Sequence, residues 1–264
     1  MNTQNHRPRK RFGQNFLCDQ QVIENIVAAI APKAEQQVIE IGPGEGALTA
    51  ELLAANSRLT AIEIDRDLST QLQSRFAHYP EFKLIEGDAL KTDYRTFASS
   101  DQNLRVVGNL PYNLSTPLLF HLLSFRDLVH DMHFMLQKEV VDRLAASPGN
   151  KIYGRLSVMV QYHCKVQSLF VVPPTAFRPA PKVNSALVRL SPHQSIKPLA
   201  DNQRLFETVV NTCFQQRRKT LRNCLKTLVP TEHMDKLGLP LTVRPDTLSV
   251  NDFVALSNRI HSLP

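Results

Sequence analysis

The tetrapeptide Asn109-Leu110-Pro111-Tyr112, following the strand-like run from Leu104 to Val107, carries the residue types needed to act on an aromatic amine. Such an amine is a poor nucleophile because its lone pair is delocalised into the ring. The side-chain oxygen of Asn109 and the backbone carbonyl of Leu110 can accept its two N–H bonds, favouring a pyramidal nitrogen with a freed lone pair. The ring of Tyr112 can stack on an extruded base. A strand that simply ends in a proline turn would use the same four residues, so the tetrapeptide needs support from elsewhere.

That support lies upstream. Val38-Ile39-Glu40-Ile41-Gly42-Pro43-Gly44-Glu45-Gly46-Ala47-Leu48-Thr49 reads as a buried strand, a glycine-rich turn and the start of a helix. Gly42 and Gly44 let the backbone approach a ligand closely. Glu63 follows Gly44 by 19 residues at the end of a second strand, where a carboxylate can accept both hydroxyl hydrogens of a ribose. The spacing is G-x-G-x-G, with Ala47 where a dinucleotide fingerprint needs its third glycine, and no phosphate loop of the G-x-x-x-x-G-K-[S/T] form occurs. A third element, Glu86-Gly87-Asp88, supplies an acid that can accept from an adenine amino group. Three strand-end sites in this order fit S-adenosylmethionine better than NAD. Glu40 is expected to support the glycine turn rather than touch a ligand.

With these motifs in place, the chain resembles the KsgA/RsmA family of ribosomal RNA adenine dimethyltransferases from about Arg9 to Ile260. The segments that carry the resemblance are Lys10 to Leu17, Glu40 to Thr49, Gly108 to Tyr112, Phe177 to Ser185 and Phe214 to Arg222. The resemblance implies a Rossmann-like α/β class I methyltransferase domain and a small C-terminal all-helical domain. It implies that Asn15, Leu17, Gly42, Gly44, Glu63, Asp88 and Asn109 hold S-adenosylmethionine. Catalytic work falls to Asn109, Leu110 and Tyr112, with Phe177 as a second aromatic face opposing Tyr112; the plainer alternative is that Phe177, beside Pro179, is core. The implied substrate is a pair of adjacent adenosines in the hairpin loop near the 3′ end of 16S rRNA, within the small ribosomal subunit. Rivals are an Erm-like 23S rRNA methylase, a DNA adenine methyltransferase and a ribosome-assembly factor in which catalysis is secondary. The basic C-terminal segment speaks against the first, and the lack of a separate target-recognition segment speaks against the second.

Charge supports a polyanionic partner. Residues 1–11 carry Arg7, Arg9, Lys10 and Arg11 with no acid, residues 12–193 hold 17 basic and 18 acidic groups, and residues 194–264 hold 10 and 6. The excess at the two ends, concentrated downstream in Arg217, Arg218, Lys219 and Arg222, suggests contact with RNA phosphates. A helix over 217–228 would put Arg218 and Arg222 on one face; a solvated helix face is the plainer alternative. Cys18, Cys164, Cys213 and Cys224 show no ligand or disulfide spacing, so no metal is expected and reduced thiols in the cytoplasm are. No run reaches membrane-span length, and the basic start is not followed by a signal-peptide core.

The elements that must position these residues alternate. Strands are expected at 37–41, 59–64, 82–87, 104–108, 130–137, 166–172 and 185–191, with helices at 46–56, 67–77 and 116–125 between them. A helix from Val22 to Ile30, stopped near Pro32, precedes them. Such a pattern makes an open, largely parallel sheet, with Gly42, Glu63, Asp88 and Asn109 at strand ends. A composition shift near Ser191 to Pro198 places a domain boundary between 1–193 and 194–264. Beyond it, helices are expected near 202–214, 217–228, 231–237 and 250–261. A monomer is expected, because the binding surface must meet a large asymmetric particle.

Overall fold

The computed structural model describes residues 14–34, 36–55, 57–98 and 104–264, which divide into two compact units. The first takes in the described residues through Val141 together with Gln167–Pro192. The second is built from Asp142–Val166 and His193–Pro264.

In the first unit the chain runs through β1 (Phe16–Leu17), α1 (Gln20–Ile30), β2 (Gln37–Ile41), α2 (Ala47–Ala54), β3 (Arg58–Glu63), α3 (Arg66–Arg75), β4 (Phe82–Glu86), β5 (Leu104–Asn109), α4 (Ser115–Leu123) and β6 (Val129–Gln137). Helix α5 (Lys138–Leu144) leads out of it, and α6 (Arg155–His163) follows. The chain returns as β7 (Cys164–Val172), β8 (Phe177–Arg178) and β9 (Ser185–Pro192). The seven-stranded sheet has the order β4-β3-β2-β5-β6-β9-β7, while β1 and β8 form a separate antiparallel pair. Strands β2 to β6 are mutually parallel and β9 is antiparallel to β6. Central parallel strands are covered on both faces, which is why Val38, Ile39, Ala61 and Val106 in them are all fully buried. The register pairs Ile41 with Ile62 and Glu63 with Glu86, so the carboxyl ends of neighbouring strands finish level.

Helix α1 shows how local sequence sets these elements. Asp19 caps it by accepting from the Val22 amide at 3.1 Å, and Ile23, Ile26 and Ile30 put one buried stripe on the sheet. It stops at Ala31, whose φ is 47°, and Pro32 cannot continue it. The stripe joins a core with Leu52, Leu59, Phe76, Val107 and Leu187. Burying each such side chain contributes roughly 1.5–3 kcal/mol.

The second unit is helical: α6 packs with α7 (Gln203–Gln215) and α9 (Val250–His261), and α7 packs with α8 (Leu221–Leu225). Its composition differs from the expected split at 193/194, because residues 142–166 group with the C-terminal segment. The reason is packing between distant stretches. Tyr162 of α6 stacks 4.5 Å from Phe206 of α7, and its hydroxyl accepts from the Ala200 amide at 3.1 Å. The helix expected over 217–228 is also corrected. Residues 216–219 form a turn, and α8 covers only Leu221–Leu225. The amides of Leu221 and Arg222 donate to the carbonyls of Val243 and Leu241, at 2.8 and 3.0 Å, instead of to the preceding helical turn. Arg218 and Arg222 therefore do not share a helix face. The stretch Thr231–Leu237 winds as a 3-10 helix.

At the amino ends of the first unit's strands, Arg105 forms a buried bidentate pair with Asp131, both bonds at 2.8 Å. The same guanidinium donates to the carbonyls of Ile30 and Ala31, at 2.6 and 3.2 Å, and to Gln36 Oε1 at 3.1 Å. It thereby fastens the end of α1 to the sheet. Removing one member of a buried pair strands the other charge. Asp131→Ala should cost about 3–5 kcal/mol in urea unfolding. A loss under about 1 kcal/mol would show that the pair contributes no more than an exposed one.

Candidate active site

The carboxyl ends of β2, β3, β4 and β5 open into a cleft of about 850 Å³. Strand β2 delivers the chain into Gly42-Pro43-Gly44. Gly44 has a φ of 59°, and a β-carbon there would stand 2.9 Å from the Phe16 ring, so both conformation and space demand glycine. One strand over, Gly108 lets β5 approach β2: a β-carbon would lie 2.5 Å from the Ile41 carbonyl oxygen.

Glu63 ends β3 with its carboxylate already arranged. One oxygen accepts from the Gly44 amide at 3.2 Å, and the other from the Asp65 amide at 2.9 Å. Burial pushes this carboxyl above its ordinary pKa, and these backbone amides offset part of that cost. With the Ile64 amide also bonded to it, the carboxylate has about one of its four acceptor sites left for a ligand hydroxyl. Asp88 follows β4, with one oxygen accepting from the Leu90 amide at 3.0 Å and the other 4.0 Å from Lys91 Nζ.

Asn109 closes β5. Its side-chain N–H donates to the Asn15 carbonyl at 2.8 Å, which leaves Oδ1 as an acceptor. The Tyr112 hydroxyl lies 2.9 Å from Ser185 Oγ on β9, which fixes the ring's attitude beside the cleft. Asn15, Gly42, Gly44, Glu63, Asp88, Asn109, Leu110 and Tyr112 all line this one cleft.

Two expected residues lie elsewhere. Leu17 lines an adjoining cavity of about 530 Å³ with Glu40 and His133; Gly42, Gly44 and Asn109 border both spaces. Phe177, expected to oppose Tyr112, is 3% exposed, packs in the hydrophobic core and is not among the residues that line the cleft. Its pairing with Leu17 across β1 and β8 buries Phe177 while leaving Arg178 exposed. Sequence reasoning missed Phe16, Ile64, Leu114, Leu118 and Ser185. Ile64, at 46% exposure beside Glu63, is an apolar surface at a strand end, a pattern that could have marked it.

The basic cluster belongs to the second unit. Arg217 donates to the Asn150 carbonyl at 3.3 Å and faces Asp246 at 3.6 Å, while Arg222 pairs with Asp235 at 3.1 Å. Arg218 and Lys219 are exposed on the intervening turn. Arg7, Arg9, Lys10 and Arg11 lie outside the described residues. Among the described residues no helix is long and apolar enough to cross a membrane, and no group of three or more acidic, histidine or cysteine side chains could hold a metal ion.

The described lining of the cleft contains two carboxylates, Glu63 and Asp88, and no lysine, arginine or histidine. A pyrophosphate would find no cationic side chain among these described residues, whereas a nucleoside bearing a cationic sulfonium suits this donor set. Sheet order and cleft are those of a class I S-adenosylmethionine-dependent methyltransferase fold. The model of the family described as "Ribosomal RNA adenine dimethylase" matches residues 5–262. The "Ribosomal RNA small subunit methyltransferase A" of Hahella chejuensis is 53% identical over 98% of this chain and 95% of its own. Among solved structures, a dimethyladenosine transferase from Plasmodium falciparum is 29% identical, with a TM-score of 0.78 over 91% of this chain and 95% of that one. The 23S rRNA methyltransferase ErmE, 24% identical with a TM-score of 0.72 over 94% of this chain and 100% of its own, shares the fold. The chain belongs to the ribosomal RNA adenine dimethylase family.

Glu40 stands behind the glycine turn and accepts from Thr49 Oγ1 at 2.7 Å, joining β2 to α2. Burial, only partly offset by that bond, pushes its pKa from 4.5 to about 7. The folded chain therefore keeps this proton after the unfolded chain has released it. The stability so gained is complete below pH 4.5 and is lost as pH rises through about 7. Glu40→Gln should remove that dependence. Its melting temperature, relative to the native chain, should rise between about pH 5 and about pH 8 by an amount worth roughly 2 kcal/mol. A difference that stays constant across that range would mean the carboxyl is already ionised in the fold.

Proposed function

We propose that this chain transfers methyl groups from S-adenosylmethionine to N6 of two adjacent adenosines in the 3′-terminal hairpin loop of 16S rRNA, within the small ribosomal subunit, giving N6,N6-dimethyladenosine. Family membership supports the reaction class. The observation that carries the reading is that Asn109, Leu110 and Tyr112 border the same cleft as Glu63 and Asp88. Glu63 would hold the cofactor's ribose and Asp88 its adenine amine, with Gly42, Gly44, Asn15 and Asn109 around the remainder and Leu17 from the adjoining cavity. When bound, the cofactor supplies a methyl group activated on a sulfonium. The chain's task is then placement and polarisation. Asn109 Oδ1 and the Leu110 carbonyl accept the target amine's two N–H bonds, and Tyr112, steadied by Ser185, stacks on the flipped base. Stacking contributes roughly 1–3 kcal/mol towards the cost of extrusion.

Arg7, Arg9, Lys10 and Arg11, with Arg218 and Lys219, contact RNA phosphates in this reading. Arg217 and Arg222 hold the turn that presents the latter pair, through Asp246 and Asp235. The enzyme acts as a cytoplasmic monomer.

The test is methyl transfer from labelled S-adenosylmethionine to unmodified small subunits, large subunits and duplex DNA, with the modified nucleoside identified. Dimethyladenosine from the small subunit alone is expected; label in 23S rRNA or DNA would overturn the substrate, and no label would overturn the catalytic role. Glu63→Ala should abolish transfer and spare particle binding. Charge reversal at Arg218 and Lys219 should weaken binding and flatten its salt dependence, by about 0.7–0.9 in log–log slope per lost phosphate contact.

A further inference from the structure

The loop that carries Asp88 is shaped locally. The Leu90 amide donates to Asp88 Oδ1, and Thr92 Oγ1 and the Lys91 amide donate to the Asp88 carbonyl at 3.0 and 2.9 Å. These bonds make residues 88–92 one piece without fixing that piece to the sheet. Tyr94 and His121 hold it from outside, His121 from α4. Tyr94 is fully buried, and its hydroxyl donates to the Ala89 carbonyl at 3.2 Å. His121 Nε2 lies 2.9 Å from the Thr92 carbonyl. A carbonyl only accepts, so the imidazole proton in this contact is on Nε2. The two rings pack edge to face with centroids 5.8 Å apart, and Phe125 backs both, at 5.4 Å from Tyr94 and 5.2 Å from His121. Burial, reinforced by the nearby Asp88 charge, pushes the Tyr94 phenol's pKa up, so it remains a donor.

His121 belongs to α4, the helix that starts where the Asn109–Tyr112 turn ends. The Leu114 amide and Ser115 Oγ both donate to the Pro111 carbonyl, at 3.0 and 3.1 Å, which joins turn and helix without slack. Leu114, Leu118 and His121 recur at spacings of four and three, so they share one helix face. Leu114 and Leu118 line the cleft, and Ala89 and Leu90 line it from the Asp88 loop. One face of α4 therefore both walls the cleft and grips the loop opposite.

We infer that Tyr94 and His121 are positioning residues that hold the Asp88 loop against α4, setting the cofactor-binding edge in register with the turn that receives the target base. This rests on the reading of Asp88 as a cofactor contact. The brace acts through the loop: losing it lets Asp88 wander and weakens cofactor binding, while the transfer step at saturating cofactor is little changed.

The experiment compares the full chain with His121→Ala, His121→Gln, Tyr94→Phe, Asp88→Ala and the His121→Ala/Asp88→Ala double variant. S-adenosylhomocysteine affinity is read by calorimetry, and KM for S-adenosylmethionine and kcat are read on small subunits. Losing one brace bond should weaken affinity and raise KM roughly threefold to tenfold, with kcat within about twofold of native. His121→Gln, which can still offer a side-chain N–H to Thr92, should recover most of the affinity. In the Asp88→Ala background, His121→Ala should add little, because both act through one contact. Tyr94→Phe deletes a single oxygen, so the test survives if His121→Ala fails to fold. Native affinity in His121→Ala and Tyr94→Phe alongside a weakened Asp88→Ala would overturn the brace and leave the Asp88 reading standing. Full additivity in the double variant, or a fall in kcat at unchanged KM, would overturn it too. Native affinity in Asp88→Ala would overturn both.

Discussion

The Gly44 amide donating to the Glu63 carboxylate at 3.2 Å is the contact on which the cleft depends. It joins the ends of two neighbouring parallel strands, and Gly44 reaches it in a backbone conformation that other residues rarely adopt. It also makes a buried carboxylate tolerable beside apolar walls, since backbone amides take the place of water. Once that corner is set, Phe16 rests against Gly44, and Asn15, one residue earlier, accepts from Asn109. The short segment before α1 is thus stitched between the glycine turn and the end of β5.

Helix α1 extends that arrangement across the sheet. Asp19 caps its start two residues after β1, and Arg105 grips the carbonyls at its end. A buried charge pair at the amino ends of the strands therefore helps fix residues that line a space at the carboxyl ends. The coupling runs through a rigid element secured at both termini, and it needs no network of intermediate side chains.

Much of this was legible in the sequence because it follows from local rules. The strands at 37–41, 59–64, 82–87, 104–108 and 130–137 lie within one residue of their observed bounds, since apolar runs between glycine and acidic turns have few other readings. Gly42, Glu63, Asp88 and Asn109 border one cleft because strand ends in a parallel sheet must finish together. What failed was decided by distant partners. The 217–228 helix gave way to backbone bonds that residues 221 and 222 donate to the carbonyls of Val243 and Leu241. Ser185, which steadies Tyr112 from 73 residues away, had no local signal beyond its place at the end of the Phe177–Ser185 segment. Residues 142–166 left the expected domain because their apolar partners lie beyond residue 193.

That last feature bears on how the chain is made. The sheet's final strand, β9, ends at Pro192 and leaves the ribosome ahead of all of α7 to α9. The parallel core can then close while α6, already outside the tunnel, still waits for Phe206 to cover Tyr162. At about 5–20 residues per second the remaining stretch takes several seconds to emerge. During that window the nascent chain carries an uncovered apolar helix in the middle of its length, an exposure that neither finished unit displays.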